Sequence, residues 1–114
     1  DSEPPEQALL IDSQGVTAVI SGCAHPGMAR VVERASAFLG KPLDWAIGGF
    51  HLMNAVTPQI EETIEALQAL GVRAVIPTHC TGDLAKVAFR RAYGARCLEG
   101  GAGRQWDLAD IPTP

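Results

Sequence analysis

Three histidines have the widest chemical reach in this chain, and each follows a run that reads as a β-strand. They stand in Ser21-Gly22-Cys23-Ala24-His25-Pro26-Gly27, in Gly48-Gly49-Phe50-His51-Leu52 and in Pro77-Thr78-His79-Cys80-Thr81-Gly82. The carboxyl ends of strands in an open α/β sheet share one edge, and such sheets bind ligands at that edge. Residues distant in sequence therefore converge there. Neutral imidazole is the commonest protein ligand for zinc and its neighbours, so three convergent imidazoles are the raw material of a metal site.

Taken singly, each histidine has a plainer reading. His25 stands where a helix-entry residue caps or packs, and His51 stands where a polar loop residue follows a glycine turn. His79 and Cys80 are both potential ligands, but neighbours rarely point at one metal. A thiol must first lose a proton, whereas imidazole is ready to bind. His79 is therefore the better ligand, with Cys80 as a small packing residue. Thr81 and Gly82 precede a helix, whose exposed N–H groups and dipole favour an anion; an ordinary capping threonine is the alternative. The Gly100-Gly101-Ala102-Gly103 turn lacks the spacing of the known phosphate loops. All three histidines fall at one edge of the inferred sheet, and that coincidence gives the metal reading its weight.

The elements that would position them follow from pattern. Ala8 to Asp12 and Val16 to Ser21 flank Ser13-Gln14-Gly15 and predict a hairpin. Met28, Val31, Val32, Ala35 and Leu39 recur at helical spacing in a helix from Pro26 to about Leu39, stopped by Gly40. Asp44 to Ile47 predicts a strand. A helix capped by Thr57, with Pro58 in its first turn, runs to Leu70. Arg73 to Ile76 is the next strand, and Asp83 to Tyr93 the third helix. Ala95 to Leu98 and Gln105 to Leu108 predict two last short strands. Alternation of this kind requires crossover connections and a mainly parallel sheet, made mixed by the hairpins.

Composition sets the class. With 114 residues, 46% of them apolar and 19% charged, the chain can bury the core of one domain. The net charge of -4 and the lack of a basic run argue against a nucleic-acid partner. The apolar runs are strand-sized, short of the roughly 20 residues of a membrane span. Residues 1–6 are acidic and proline-rich, a tail or linker ahead of a domain at 7–111. The chain opens on Asp1 rather than Met, the mark of a cut or processed sequence. Cys23, Cys80 and Cys97 are an odd set without CxxC spacing, which points to a reducing cytoplasm rather than a disulfide framework.

The three histidine motifs, in this order and at roughly these separations, resemble the metallo-β-lactamase superfamily, and within it the proteins similar to dihydropterin ribofuranosylaminobenzene phosphate synthases. The resemblance covers about residues 7–108. It implies an α/β fold: a mixed β-sheet with helices on one face, forming the carboxyl-terminal half of a four-layer αββα sandwich. It also implies a divalent metal, zinc being the first choice, and a metal-dependent hydrolase of the ester or phosphoester class, or a pterin-related synthase. By resemblance, His25 completes the first metal site and His79 belongs to the second. Many relatives place a metal-bridging aspartate after the intervening strand. Here that stretch has none, and His51 stands there as a ligand or substrate contact.

The His-x-His-x-Asp-His motif of the amino-terminal half does not occur in this sequence. A catalytic zinc takes about three protein ligands and an open position, so the chain alone leaves both sites short. It is expected to be inactive by itself, to bind metal weakly, and to need a partner for a bare apolar sheet face. That partner would be the missing amino-terminal half or a second copy in a homodimer. The substrate would be a small molecule, phosphorylated in one version. Two other readings compete: a non-enzymatic, self-associating half domain that is structural or binds metal or anions, and a small doubly wound domain that binds a phosphorylated ligand through Thr81, Gly82 and the glycine turn.

Overall fold

A hairpin opens the fold. Strands β1 (Ala8–Ser13) and β2 (Val16–Ser21) pair antiparallel, from Ala8 opposite Ser21 to Ser13 opposite Val16. Gln14 and Gly15 between them both have positive φ, 53° and 80°, as a tight two-residue hairpin turn requires. The computed structural model describes residues 7–24, 26–100 and 103–111. Two crossovers follow the hairpin. Helix α1 (Met28–Leu39) leads to β3 (Trp45–Gly49), and α2 (Thr57–Ala69) leads to β4 (Ala74–Thr78). A 3-10 turn, His79–Thr81, then introduces α3 (Asp83–Tyr93), and a second one, Gly94–Arg96, follows it.

The strand order is β1-β2-β3-β4, with β2, β3 and β4 parallel. This order explains the layering. Crossovers between parallel strands are right-handed, and here each new strand is added on the same side of the last. Successive helices must then lie on one face. The side chains agree: Val19, Ala46 and Val75 of the sheet share a core with Val32 of α1, Leu67 of α2 and Phe89 of α3. A doubly wound sheet would need the order to reverse, so that reading is excluded. The expected mixed sheet with helices on one face is present.

Several boundaries differ from expectation. Helix α1 starts at Met28 rather than Pro26, which lies in the preceding turn. Helix α2 is capped by Val56, and Thr57, its first residue, makes no capping bond. The larger correction concerns the tail. Residues 95–98 and 105–108 form no strands; they contribute one isolated parallel bridge, Val75 with Cys97, supported by a 2.9 Å bond from Leu98 N–H to Val75 C=O. Instead the tail lies across the sheet face opposite the helices. Leu98, Leu108 and Ile111 pack on Ala18, Trp45, Ala74 and Ile76, and the Trp45 indole donates to the Leu108 carbonyl at 2.8 Å. After the single bridge to the free edge of β4, the chain leaves the ladder to cover an indole and its apolar neighbours.

The face expected to be bare is therefore covered at its centre, where Ala18, Trp45 and Ala74 are fully buried. The row nearest the histidine edge runs Leu9, Ile20, Ile47, Ile76 across all four strands. Ile76 is buried, Ile20 and Ile47 are half-buried, and Leu9 is 60% exposed. An apolar strip thus stays open beside that edge.

Candidate functional site

The parallel register brings three strand ends level. Ser21 of β2 pairs with Gly48 of β3, and Gly48 with Pro77 of β4. The loops that leave these ends carry the three histidines. His25 itself lies outside the described residues. His51 is the second residue past β3, and His79 directly follows β4.

The His51 loop is built by alternation. Phe50 is fully buried and meets Phe89 of α3 edge-on, with ring centroids 5.1 Å apart; Leu52 is also buried. His51, between two anchored neighbours, is exposed and has a φ of 57°. Positive φ is uncommon outside glycine, though histidine is among the residues that tolerate it. Ala24, one position before His25, has a φ of 53°. Of the three non-glycine residues of positive φ among the described residues, one is a candidate ligand and another borders one. Such outliers cluster at functional sites.

The three loops are tied together by one short segment. The Cys80 carbonyl accepts from the N–H groups of Leu52 and Met53, at 3.1 Å each. The Cys80 thiol reaches the Cys23 carbonyl at 3.4 Å. The Thr81 hydroxyl accepts the Phe50 N–H at 3.0 Å and donates to the Thr78 carbonyl at 2.7 Å. The Gly49 N–H closes the set on the Gly22 carbonyl at 2.8 Å. This closeness depends on the Gly48-Gly49 pair. A β-carbon on Gly48 would strike the Ser21 carbonyl. One on Gly49 would strike the Gly22 carbonyl and lie 2.9 Å from the Cys80 sulfur. The glycines that sequence alone read as a sharp turn are in fact the seam along which the loops meet.

A cavity of about 330 Å³ opens at this edge, lined by His51, Met53, Asn54, Ala55, Gln59 and Cys80. The sequence pattern singled out His51 and Cys80; Asn54 and Gln59 carried no signal, being ordinary polar residues of a loop and a helix start. Thr81 is fully buried, with its hydroxyl committed to backbone partners. The expectation of an anion at Thr81 and Gly82 rests on backbone N–H groups alone, next to the Asp83 carboxylate that already faces the α3 dipole. Two residues of the glycine turn, Gly101 and Ala102, lie outside the described residues; Gly100 packs against Thr78 and Ile76. Cys97 lines a separate pocket with Pro77, Asp83 and Arg90, and burial pushes its thiol up against the opposing pull of Arg90.

No protein-family model matches the chain. It is 36% identical over 94 residues to the 7,8-dihydropterin-6-methyl-4-(β-D-ribofuranosyl)-aminobenzene-5′-phosphate synthase of Methanocaldococcus jannaschii, a match covering 82% of this chain and 32% of that protein. A solved structure described as a metal-dependent hydrolase of the β-lactamase superfamily superposes with a TM-score of 0.83 at 29% identity, over 90% of this chain and 40% of that one. The fold is that of the metallo-β-lactamase superfamily. The chain thus spans about a third of the curated relative and two fifths of the solved one.

A metallo-β-lactamase-type centre sets a test of fit for these residues. Among the described residues no three of His, Cys, Asp and Glu gather into a metal cage. The donor chemistry is nevertheless right. The loops offer imidazoles, the ligand type that suits zinc and iron, and the His51 imidazole borders a cavity beside a thiol. The fit is that of a partial ligand set.

Proposed function

We propose that this chain is the carboxyl-terminal, histidine-bearing half of a metal-dependent hydrolase-type site, with His25 at a first divalent metal, His79 at a second and His51 as a further ligand or substrate contact, zinc by first choice. The reaction is hydrolysis of a small ester or phosphoester, or the pterin-related synthesis that the similar archaeal enzyme is named for. The observation that carries this reading is the set of ties from Cys80 and Thr81 to Phe50, Leu52, Met53 and Cys23, which hold three histidine-bearing loops in one place. The strained backbone at Ala24 and His51 supports it.

Within the reading, the residues divide the work. The imidazoles would hold the metals, which would supply Lewis-acid polarisation of the oxygen under attack and lower the pKa of bound water. Asn54 and Gln59 present amide donors and acceptors to a substrate in the cavity. An anionic substrate group meets the backbone N–H groups at the start of α3, past Gly82, because the Thr81 hydroxyl is already engaged. The remaining ligands come from the missing amino-terminal half or from a second copy. The open strip of Leu9, Ile20 and Ile47 is where that partner packs. Its burial would favour association at roughly 25 cal/mol per Å² of apolar area, before association costs are subtracted. No helix of the described residues is long and apolar enough to cross a membrane, and an odd set of cysteines without CxxC spacing fits a cytoplasmic setting.

Metal content tests the proposal. The full-length protein is expected to carry metal in whole-number stoichiometry, and His51→Ala and His79→Ala to lower it together with phosphoesterase activity. The 114-residue chain alone should bind zinc weakly. Full-length protein without metal, or His79→Ala with unchanged metal and activity, would overturn the reading. Self-association without metal chemistry is the competing reading, favoured by the same apolar strip. Sedimentation of the isolated chain separates the two when combined with the metal assay.

A further inference from the structure

The Thr81 hydroxyl is placed as few side chains of this fold are. It lies between the residues that immediately precede two of the candidate ligands. It accepts from the N–H of Phe50, next to His51, and donates to the carbonyl of Thr78, next to His79. The Gly48 carbonyl stands 3.5 Å away. The bond to Thr78, three residues back, is an ordinary local turn contact for threonine. The bond from Phe50 is not local, since it spans 31 residues and joins the end of β3 to the end of β4. Phe50 is fully buried, so its N–H has no water to fall back on. The threonine rotamer is itself stiff because the side chain is β-branched.

We infer that Thr81 is a positioning residue: its single hydroxyl sets the separation of the backbone segments that carry the candidate metal ligands His51 and His79. The inference rests on the metal reading above and deepens it. Thr81 touches neither metal nor substrate. It acts through the two peptide groups it joins, as outer partners of metal ligands do elsewhere. A purely structural role would show in stability alone, whereas a positioning role shows in metal affinity beyond the loss of stability.

The experiment uses the full-length protein and zinc alone. Dissociation constants are read by competition with a chromogenic chelator, and melting temperatures are read on the same samples. Thr81→Val keeps the shape and removes the hydroxyl; it should weaken zinc binding on the order of 10- to 100-fold. Thr81→Ser keeps the hydroxyl and should stay within about 3-fold of the parent, far short of that loss. Thr17→Val, which removes a threonine hydroxyl at the opposite end of the sheet, should lower the melting temperature and leave zinc affinity unchanged. Zinc binding by Thr81→Val equal to the parent, or weakened no more than by Thr17→Val at a matched loss of melting temperature, overturns the inference. If Thr81→Val does not fold, Thr81→Cys takes its place, with weakened zinc binding expected and parental binding overturning. His51→Ala and His79→Ala in the same assay separate the two levels. If they bind zinc like the parent, the metal reading itself falls. If they lose zinc while Thr81→Val keeps it, only the positioning role falls.

Discussion

The two ends of the parallel strands are each fastened by a buried threonine, and they are fastened in opposite ways. At the amino ends, Thr17 is clasped by charge. Its N–H and hydroxyl lie 3.0 and 3.3 Å from the Asp44 carboxylate, its hydroxyl donates to the Pro42 carbonyl at 2.8 Å, and Arg73 stands 3.6 Å from Asp44. At the carboxyl ends, Thr81 is clasped by peptide groups alone, across a glycine seam. Ties made by side chains consume side chains. Ties made by backbone leave the side chains of the same loops to line a cavity, as His51, Asn54 and Cys80 do. One end of the sheet reads as an anchor and the other as a site.

The hardest test of this contrast is Gly49→Ala. The new methyl group would meet the Gly22 carbonyl and the Cys80 sulfur, neither of which is the loose end of a flexible chain. Overpacking of this kind costs about 1–3 kcal/mol and at times more. We expect about 3 kcal/mol from the urea midpoint of the full-length protein, together with loss of metal. An unshifted midpoint would mean that the loops do not meet along this seam.

Much of the anchor and only part of the site were legible in the sequence. Short continuous apolar runs and helical periodicity place β2, β3, β4 and the three helices because those elements bury apolar faces, and burial leaves a pattern. The tail failed for the complementary reason. Residues 105–108 have strand-like composition, but their apolar groups serve to cover Trp45, not to extend a ladder. His51 and His79 were singled out by their position after strands, and the structure places both there. Thr81 was read as an anion-site or capping residue and not as a tie between loops, since its partner Phe50 lies 31 positions away and a bond to a peptide N–H leaves no trace in residue type.

Alkali probes the anchor end selectively. Tyr93 of α3 is buried and donates to the Val72 carbonyl, just before β4, at 3.2 Å. Burial, aided by nearby Cys97, pushes its phenol from 10.0 up to about 12. A raised acid is neutral in the fold while the unfolded chain ionises. Its stabilisation is therefore complete below pH 10 and is lost as pH rises to about 12. The loss is at most about 2–3 kcal/mol, less where solvent reaches the ring. Tyr93→Phe should flatten this limb of a stability-versus-pH curve. An unchanged limb would assign the alkaline loss to other groups.

Asp44→Ala cuts the charged clasp itself. It strands the N–H of the buried Thr17 and releases Arg73. Removing one partner of such a bond costs about 1–3 kcal/mol. Because the site end shares none of these ties, zinc content of the full-length protein should not change. Loss of metal in Asp44→Ala would show that the two ends are coupled through the strands, which the contrast denies.

The smallest effect is expected at Ser21, and it is the most informative about the site end. Its hydroxyl is buried at the last position of β2, level with Gly48 and Pro77, and has no hydrogen-bond partner among the described residues. Buried polar groups left unpaired are few in native proteins, and each calls for a reason. If the hydroxyl is idle, Ser21→Ala removes an unsatisfied group and should be neutral or stabilising by less than about 1 kcal/mol. Thermal melting of the 114-residue chain measures this. The same substitution in the full-length protein then asks whether the hydroxyl finds a partner once the site is complete. Zinc affinity unchanged there would leave Ser21 a packing residue. A loss confined to zinc affinity, with the melting temperature unmoved, would place the end of β2 inside the site alongside the ends of β3 and β4.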